Sequence, residues 1–249
     1  MRPFPLRRVA VAATLGLVAL PTPPASATAD EPRPRIFRIT PQRPVAELRA
    51  NALAATPPAE DGPFRPVELV EVVSLDATIR LDIRYATPDN FLSTPVYDSA
   101  RAFLQRPAAE ALVRAHRSLR EQGFGLLIHD GYRPWYVTKT FWDATPVELR
   151  WLVANPAHGS RHNRGCAVDL TLYDLRTGRP IDMGGTYDEA TERSYPDYPV
   201  TTDLARWHRE LLRQVLEDEG FTRNFDEWWH FDYRDWRSYP ILNLAFEHL

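Results

Sequence analysis

Ser160-Arg161-His162-Asn163-Arg164-Gly165-Cys166-Ala167-Val168-Asp169-Leu170-Thr171-Leu172 passes from a polar, Gly-containing half into an apolar, β-prone half. The pattern predicts a loop running into a buried strand. Asp169 then stands mid-strand between Val168 and Leu170, where a carboxylate is costly to bury unless it is paired or bound to a cation. Two partners would satisfy it: an Arg, or a metal shared with His162, seven residues earlier. On such a strand Ala167, Asp169 and Thr171 share one face while Cys166, Val168 and Leu170 share the other. Cys166 then reads as a small packing residue rather than a ligand.

Working outward, the stretch sits inside an α+β pattern. Before it, Val67 to Leu75 and Thr78 to Tyr85 read as strands, the second alternating Ile79, Leu81, Ile83 and Tyr85 on one face. Pro107 opens a helix whose stripe is Ala109, Leu112, Val113, His116 and Leu119, and Gly123 closes it. His116 lies on the apolar stripe and reads as a core or boundary residue. Phe124 to Ile128 is a buried strand leading to His129-Asp130-Gly131-Tyr132-Arg133-Pro134, a strand end of the kind that carries site residues. Pro134 to Trp142 and Pro146 to Ala154 read as short helices. After the central strand come an irregular Gly-rich segment around Met183-Gly184-Gly185-Thr186-Tyr187-Asp188 and a helix capped by Asp203, with stripe Leu204, Trp207, Leu211, Leu212, Val215 and Leu216. Gly220 ends that helix, and a last strand region runs from Phe221 to Tyr233.

The chain has 249 residues, of which 44% are hydrophobic and 25% charged, enough for one sizeable core. Arg2, Arg7 and Arg8, the apolar run from Val9 to Leu20 and the small-residue site Ala25-Ser26-Ala27 read as a signal peptide over residues 1–27. The run is too short to span a bilayer, so no stable membrane insertion is expected after cleavage. The expected location is exported, periplasmic or secreted. Removing residues 1–27 deletes three of the 30 basic residues and leaves 27 against 33 acidic, a charge of −6 that makes nucleic acid an unsuitable partner. Residues 28–66 are Pro-rich and read as an extended leader. Residues 67–249 are expected to form one domain, by default a catalytic one. With Cys166 as the one cysteine, no internal disulfide can form.

Near the C-terminus, Glu227 and His230 are three apart in Glu227-Trp228-Trp229-His230, and the aromatic content favours a strand with Glu227 at the turn before it. His162, Asp169, His230 and Glu227 supply three nitrogen or oxygen ligands and a spare carboxylate, which fits a catalytic zinc that keeps one position for water. A structural zinc prefers four ligands, often cysteines, and those are missing.

Ser160-x-His162-x-x-Gly165-x-Ala167-x-Asp169, followed by Glu227-Trp228-Trp229-His230 and preceded by Asp130-Gly131-Tyr132-Arg133-Pro134, closely resembles the VanX-like zinc D-alanyl-D-alanine dipeptidases. The resemblance begins near Ile83-Arg84-Tyr85-Ala86-Thr87 and runs through Phe231. It implies an α+β fold with a mainly antiparallel sheet packed by helices, and one catalytic Zn2+ ion in a cleft on that sheet. By motif position, His162, Asp169 and His230 would be the metal ligands and Glu227 the general base. Arg133 would stabilise the oxyanion, Asp130 would support it, and Ser160, Tyr85 and Asp188 would bind a small dipeptide substrate. Arg161 stands where such proteins frequently have a small residue, which points to altered binding near the substrate carboxylate. The competing expectations are a peptidoglycan D,D- or L,D-carboxypeptidase of the same fold, and a non-catalytic zinc-stabilised module that binds cell-wall peptides.

Overall fold

The computed structural model describes residues 37–249, and the signal-peptide segment 1–27 lies outside the described residues. The elements in chain order are α1 (Val45–Ala54), β1 (Leu69–Glu71), α2 (Val72–Leu75), β2 (Arg80–Leu81), β3 (Phe103–Gln105) and α3 (Arg106–Arg120). They continue with β4 (Phe124–Asp130), α4 (Trp135–Ala144), β5 (Ala167–Asp174), α5 (Asp203–Asp218), β6 (Phe221–Arg223) and β7 (His230–Tyr233). Five strands form one sheet in the order β2-β4-β5-β7-β6, antiparallel except for the β2–β4 pair, and β1 pairs with β3 in a separate ribbon.

The central strand follows the sequence pattern. Val168, Leu170 and Leu172 are fully buried on one face of β5, and Asp169 and Thr171 are buried on the other. Cys166 is buried and free, as a packing residue. Amphipathic helices α3 and α5 pack on each other and on the sheet. His116 is indeed a core residue of α3: its Nδ1 accepts the Leu126 N–H of β4 at 3.1 Å, and its Nε2 lies 2.9 Å from the Thr78 hydroxyl. No described helix is long and apolar enough to cross a membrane.

Several elements differ from the expectation, each for a physical reason. Residues 28–66 are not extended throughout, because Val45–Ala54 form α1. The prolines flank this segment without interrupting it, its alanines favour a helix, and Leu48 and Ala52, one turn apart, are buried in the α1–α4 contact. Of the expected strand Val67 to Leu75 only β1 is extended, and Val72–Leu75 coil into α2. The second expected strand shrinks to Arg80–Leu81, and Arg84–Ala86 form a 3-10 turn that buries Tyr85. Pro146 to Ala154 gives 3-10 turns over Val147–Leu152 rather than an α-helix. Thr202, not Asp203, caps α5, its hydroxyl accepting the Ala205 N–H at 3.0 Å. The final strand region is a hairpin, with β6 and β7 paired and Glu227 in the connecting turn.

Candidate metal centre and cleft

Strand register builds the core of the site. Asp169 of β5 lies directly opposite His230 of β7, so their side chains emerge on the same face, within reach of each other. His162 arrives from the 3-10 turn His162–Arg164 that leads into β5. Gly165 ends that turn at φ +67°, and a Cβ there would stand 2.5 Å from Leu69 Cδ2, so glycine is required on both counts. Asn163, fully buried, pins the turn: its amide nitrogen donates to the Arg133 carbonyl and the Thr138 hydroxyl at 2.7 and 2.8 Å, while its Oδ1 accepts the Ser160 N–H at 2.7 Å.

The donor atoms converge. His162 Nε2 is 3.2 Å from His230 Nδ1 and 3.4 Å from Asp169 Oδ1, and His230 Nδ1 is 2.9 Å from the same oxygen. The remaining ring nitrogens are committed elsewhere: His162 Nδ1 donates to the Gly131 carbonyl at 2.7 Å and His230 Nε2 donates to Asp232 Oδ1 at 3.0 Å. Those acceptors set the tautomers and leave the lone pairs of Nε2 and Nδ1 directed at one point. A tetrahedral zinc ion held at ~2.0–2.1 Å by such donors places them ~3.3 Å apart, which matches the three separations. Electrostatics agree. Burial disfavours a charged His230, but hydrogen bonds to Asp169 and Asp232 outweigh it and push its pKa up to about 10, so this point of the protein draws positive charge. Burial likewise opposes the Asp169 carboxylate, yet the two imidazoles hold it well below the usual range. The residues therefore fit a zinc ion, and among the described residues they are the group of three placed to hold a metal.

Around this cluster lies a cleft of about 940 Å³ whose walls include Tyr85, Arg133, Ser160, Asp188 and Glu227. Glu227 Oε2 is 3.7 Å from His230 Nδ1 and accepts from Asn224 Nδ2 at 3.2 Å. Burial, with repulsion from Asp169, raises its pKa against the pull of His230. Asp130 is held behind the cleft wall, accepting from the Tyr97 hydroxyl at 2.7 Å and from Arg133 Nε and Nη2 at 2.9 and 2.8 Å. The Arg133 guanidinium lies over the rings of Tyr85 and Phe141, 5.4 and 5.0 Å from their centroids. Burial works against its charge, but Asp130 keeps its pKa well above the ordinary value.

Asp188, at φ +57°, accepts the Tyr85 hydroxyl at 2.8 Å. Burial, reinforced by Asp169 and Glu227, raises its pKa to about 7 despite that hydrogen bond. Ser160 Oγ accepts the His162 N–H at 3.3 Å. All nine sequence-derived positions thus gather in and behind one cleft. Sequence reasoning missed Tyr187, whose hydroxyl donates to Asp169 Oδ2 at 3.1 Å while its ring stacks on His129, and it missed Asp232. Asp232 carried a readable signal, since it lies two residues after His230 on the same strand face.

Comparisons with known proteins identify the family. The family described as D-ala-D-ala dipeptidase, within the M15 peptidases, matches residues 65–246. The D-alanyl-D-alanine dipeptidase of Escherichia coli K12 is 35% identical over 175 residues, covering 70% of this chain and 89% of the relative. That of Enterococcus faecium is 36% identical over 180 residues, covering 65% and 89%. Among solved structures, a mutant of the vancomycin resistance D,D-pentapeptidase VanY in complex with Zn(II) aligns with a TM-score of 0.38 at 16% identity, covering 74% of this chain and 88% of that one. The chain is a metallopeptidase belonging to the D-alanyl-D-alanine dipeptidase family.

Proposed function

We propose that the protein hydrolyses free D-alanyl-D-alanine to two D-alanines with one zinc ion, as an exported enzyme of cell-wall peptide metabolism. The observation that carries this is the convergence, in one cleft, of the His162–Asp169–His230 donors, Glu227, Arg133 and the Tyr85–Asp188 pair. Held by those three donors, zinc supplies Lewis acidity toward a water and the scissile carbonyl. Glu227 stands where it can take the proton of the attacking water and pass it to the leaving amine. Arg133, permanently charged and held in place by Asp130, meets the negative charge that develops on the carbonyl oxygen. Asp188 offers a carboxylate to the substrate ammonium, with the Tyr85 hydroxyl orienting it. Ser160 lies at the opposite requirement, a donor for the substrate carboxylate. Reading both charged ends is what confines activity to a dipeptide. Export rests on the Arg-rich, apolar and Ala-Ser-Ala pattern of residues 1–27.

The cleft favours one second reading. At about 940 Å³ it lies near the upper end of the ~300–1,000 Å³ of ordinary ligand pockets and holds more than two alanines. A D,D- or L,D-carboxypeptidase acting on longer wall peptides would use that space. Alanine release from D-alanyl-D-alanine, its L,L isomer and a longer peptide ending in D-alanyl-D-alanine, each with a chelated control, decides the matter. Chelator-sensitive cleavage of the free D,D-dipeptide alone is expected. Preference for the longer peptide selects the carboxypeptidase, and silence on all three selects the binding module.

A further inference from the structure

Arg161 was expected near the substrate carboxylate, but its strongest contact points away from that role. Its Nη1 donates to Asp232 Oδ2 at 2.6 Å, and its guanidinium stacks over Trp236, 5.0 Å from the ring centroid. The other oxygen of the same carboxylate, Asp232 Oδ1, holds His230 Nε2 at 3.0 Å. Asp232 is buried, whereas the Arg161 side chain is 44% exposed. We infer that Arg161 and Asp232 form a positioning pair that orients the His230 imidazole and thereby sets the affinity of the site for its metal. This rests on the zinc reading above, and not on the identity of the substrate.

The connectivity explains why one ion pair matters here although exposed pairs in general contribute little. Arg161 is the chain neighbour of His162, and Asp232 is two residues from His230. The bridge therefore ties the turn carrying one imidazole to the strand carrying the other, across the gap where the donors must meet at 3.2 Å. Asp232 accepts from both sides with separate oxygens, so Arg161 restricts rotation of the carboxylate and holds Oδ1 toward His230. Without Arg161, the buried carboxylate keeps only the imidazole as a side-chain partner among the described residues and is free to turn. The bond to Nε2 then no longer defines one ring orientation, and Nδ1 loses its aim at Asp169 and His162.

The test uses the full chain with Arg161→Ala, Asp232→Asn and the double substitution. Three quantities are measured: zinc affinity by competition with a chromophoric chelator, the visible spectrum of the Co2+-loaded protein, and kcat and KM separately. Asp232→Asn is expected to weaken zinc binding by about 10–100-fold, and Arg161→Ala by about tenfold, the lower end for partners of metal ligands. The double variant should bind no more weakly than Asp232→Asn alone, because both act through one bond. Both single variants should alter the Co2+ spectrum. Arg161→Lys, which keeps a charged donor of nearly the same reach, should recover part of the loss, separating positioning from a general loss of folding. Unchanged zinc affinity and Co2+ spectrum in Arg161→Ala, with a raised KM, would overturn the inference and return Arg161 to the substrate carboxylate. Additive losses in the double variant would overturn it equally. The metal readouts need no turnover, so they stand even if the substrate assignment fails.

Discussion

At the scale of single residues, Glu227 and Asp188 are two part-buried carboxylates of one cleft to which the proposed mechanism gives different work. Glu227→Ala should retain zinc and lose about 10²–10⁴-fold in kcat, the usual contribution of a positioned acid–base group. Metal content and turnover measured on the same sample check this, and full activity removes Glu227 from the mechanism. Asp188, with its pKa raised to about 7, is increasingly neutral below that pH and then cannot pair with a substrate ammonium. KM for the dipeptide should therefore fall as pH rises toward 7, and rise again above about 8 as the substrate's own α-amino group loses its proton. In Asp188→Asn the fall toward 7 should vanish and KM should stay high across the range. Glu227 was legible through its place in Glu227-Trp228-Trp229-His230, whereas Asp188 came only from the family resemblance. Tyr187 was not legible, since a Gly-rich irregular segment has no periodicity from which to infer a side chain's direction.

At the scale of elements, the turn into β5 and the α3–β4 contact each carry a measurable strain or charge. Gly165→Ala puts a Cβ at φ +67° against Leu69, and such backbone costs about 1–3 kcal/mol before the clash is counted. Melting temperature and zinc affinity should both drop. Gly123→Ala, at φ +88° with no atom within 4 Å of the added carbon, should lower the melting temperature less and leave zinc affinity unchanged. His116 shows the opposite kind of constraint. Burial pushes its pKa down to about 4 from an ordinary 6.5, and the Leu126 N–H already occupies Nδ1. Because the unfolded chain takes up this proton first, the contribution is fully present above pH 6.5 and fades as pH falls to about 4. The loss is on the order of 3 kcal/mol, and denaturant titrations should show it in the native chain but not in His116→Gln. The long helices and β4–β5 were readable from periodicity. The bounds of β1 and β2 were not, because two or three residues inside the longer expected strands give no period, β3 was missed for the same reason, and α1 was hidden by the prolines that bracket it.

At the scale of the whole molecule, the metal binds the folded chain and should stabilise it by mass action. Free zinc at a hundred times its dissociation constant adds about 2.7 kcal/mol, or about 5–10 °C for a domain of this size. Calorimetry with and without chelator measures the difference, and one zinc per chain is the expected stoichiometry. The architecture also determines what removing the ion leaves behind. Asp169 stands on β5, which is hydrogen-bonded on both sides, to β4 and to β7. Backbone amides around it should be among the slowest to exchange with deuterium, while the turns at 84–86, 162–164 and 224–229 that bring Tyr85, His162 and Glu227 exchange sooner. The rigid half of the site is thus part of the most persistent region of the fold, and dialysed protein should keep its donors nearly in register. Divalent ions can then be swapped in and out at a preformed seat, which makes this chain suited to metal replacement without refolding.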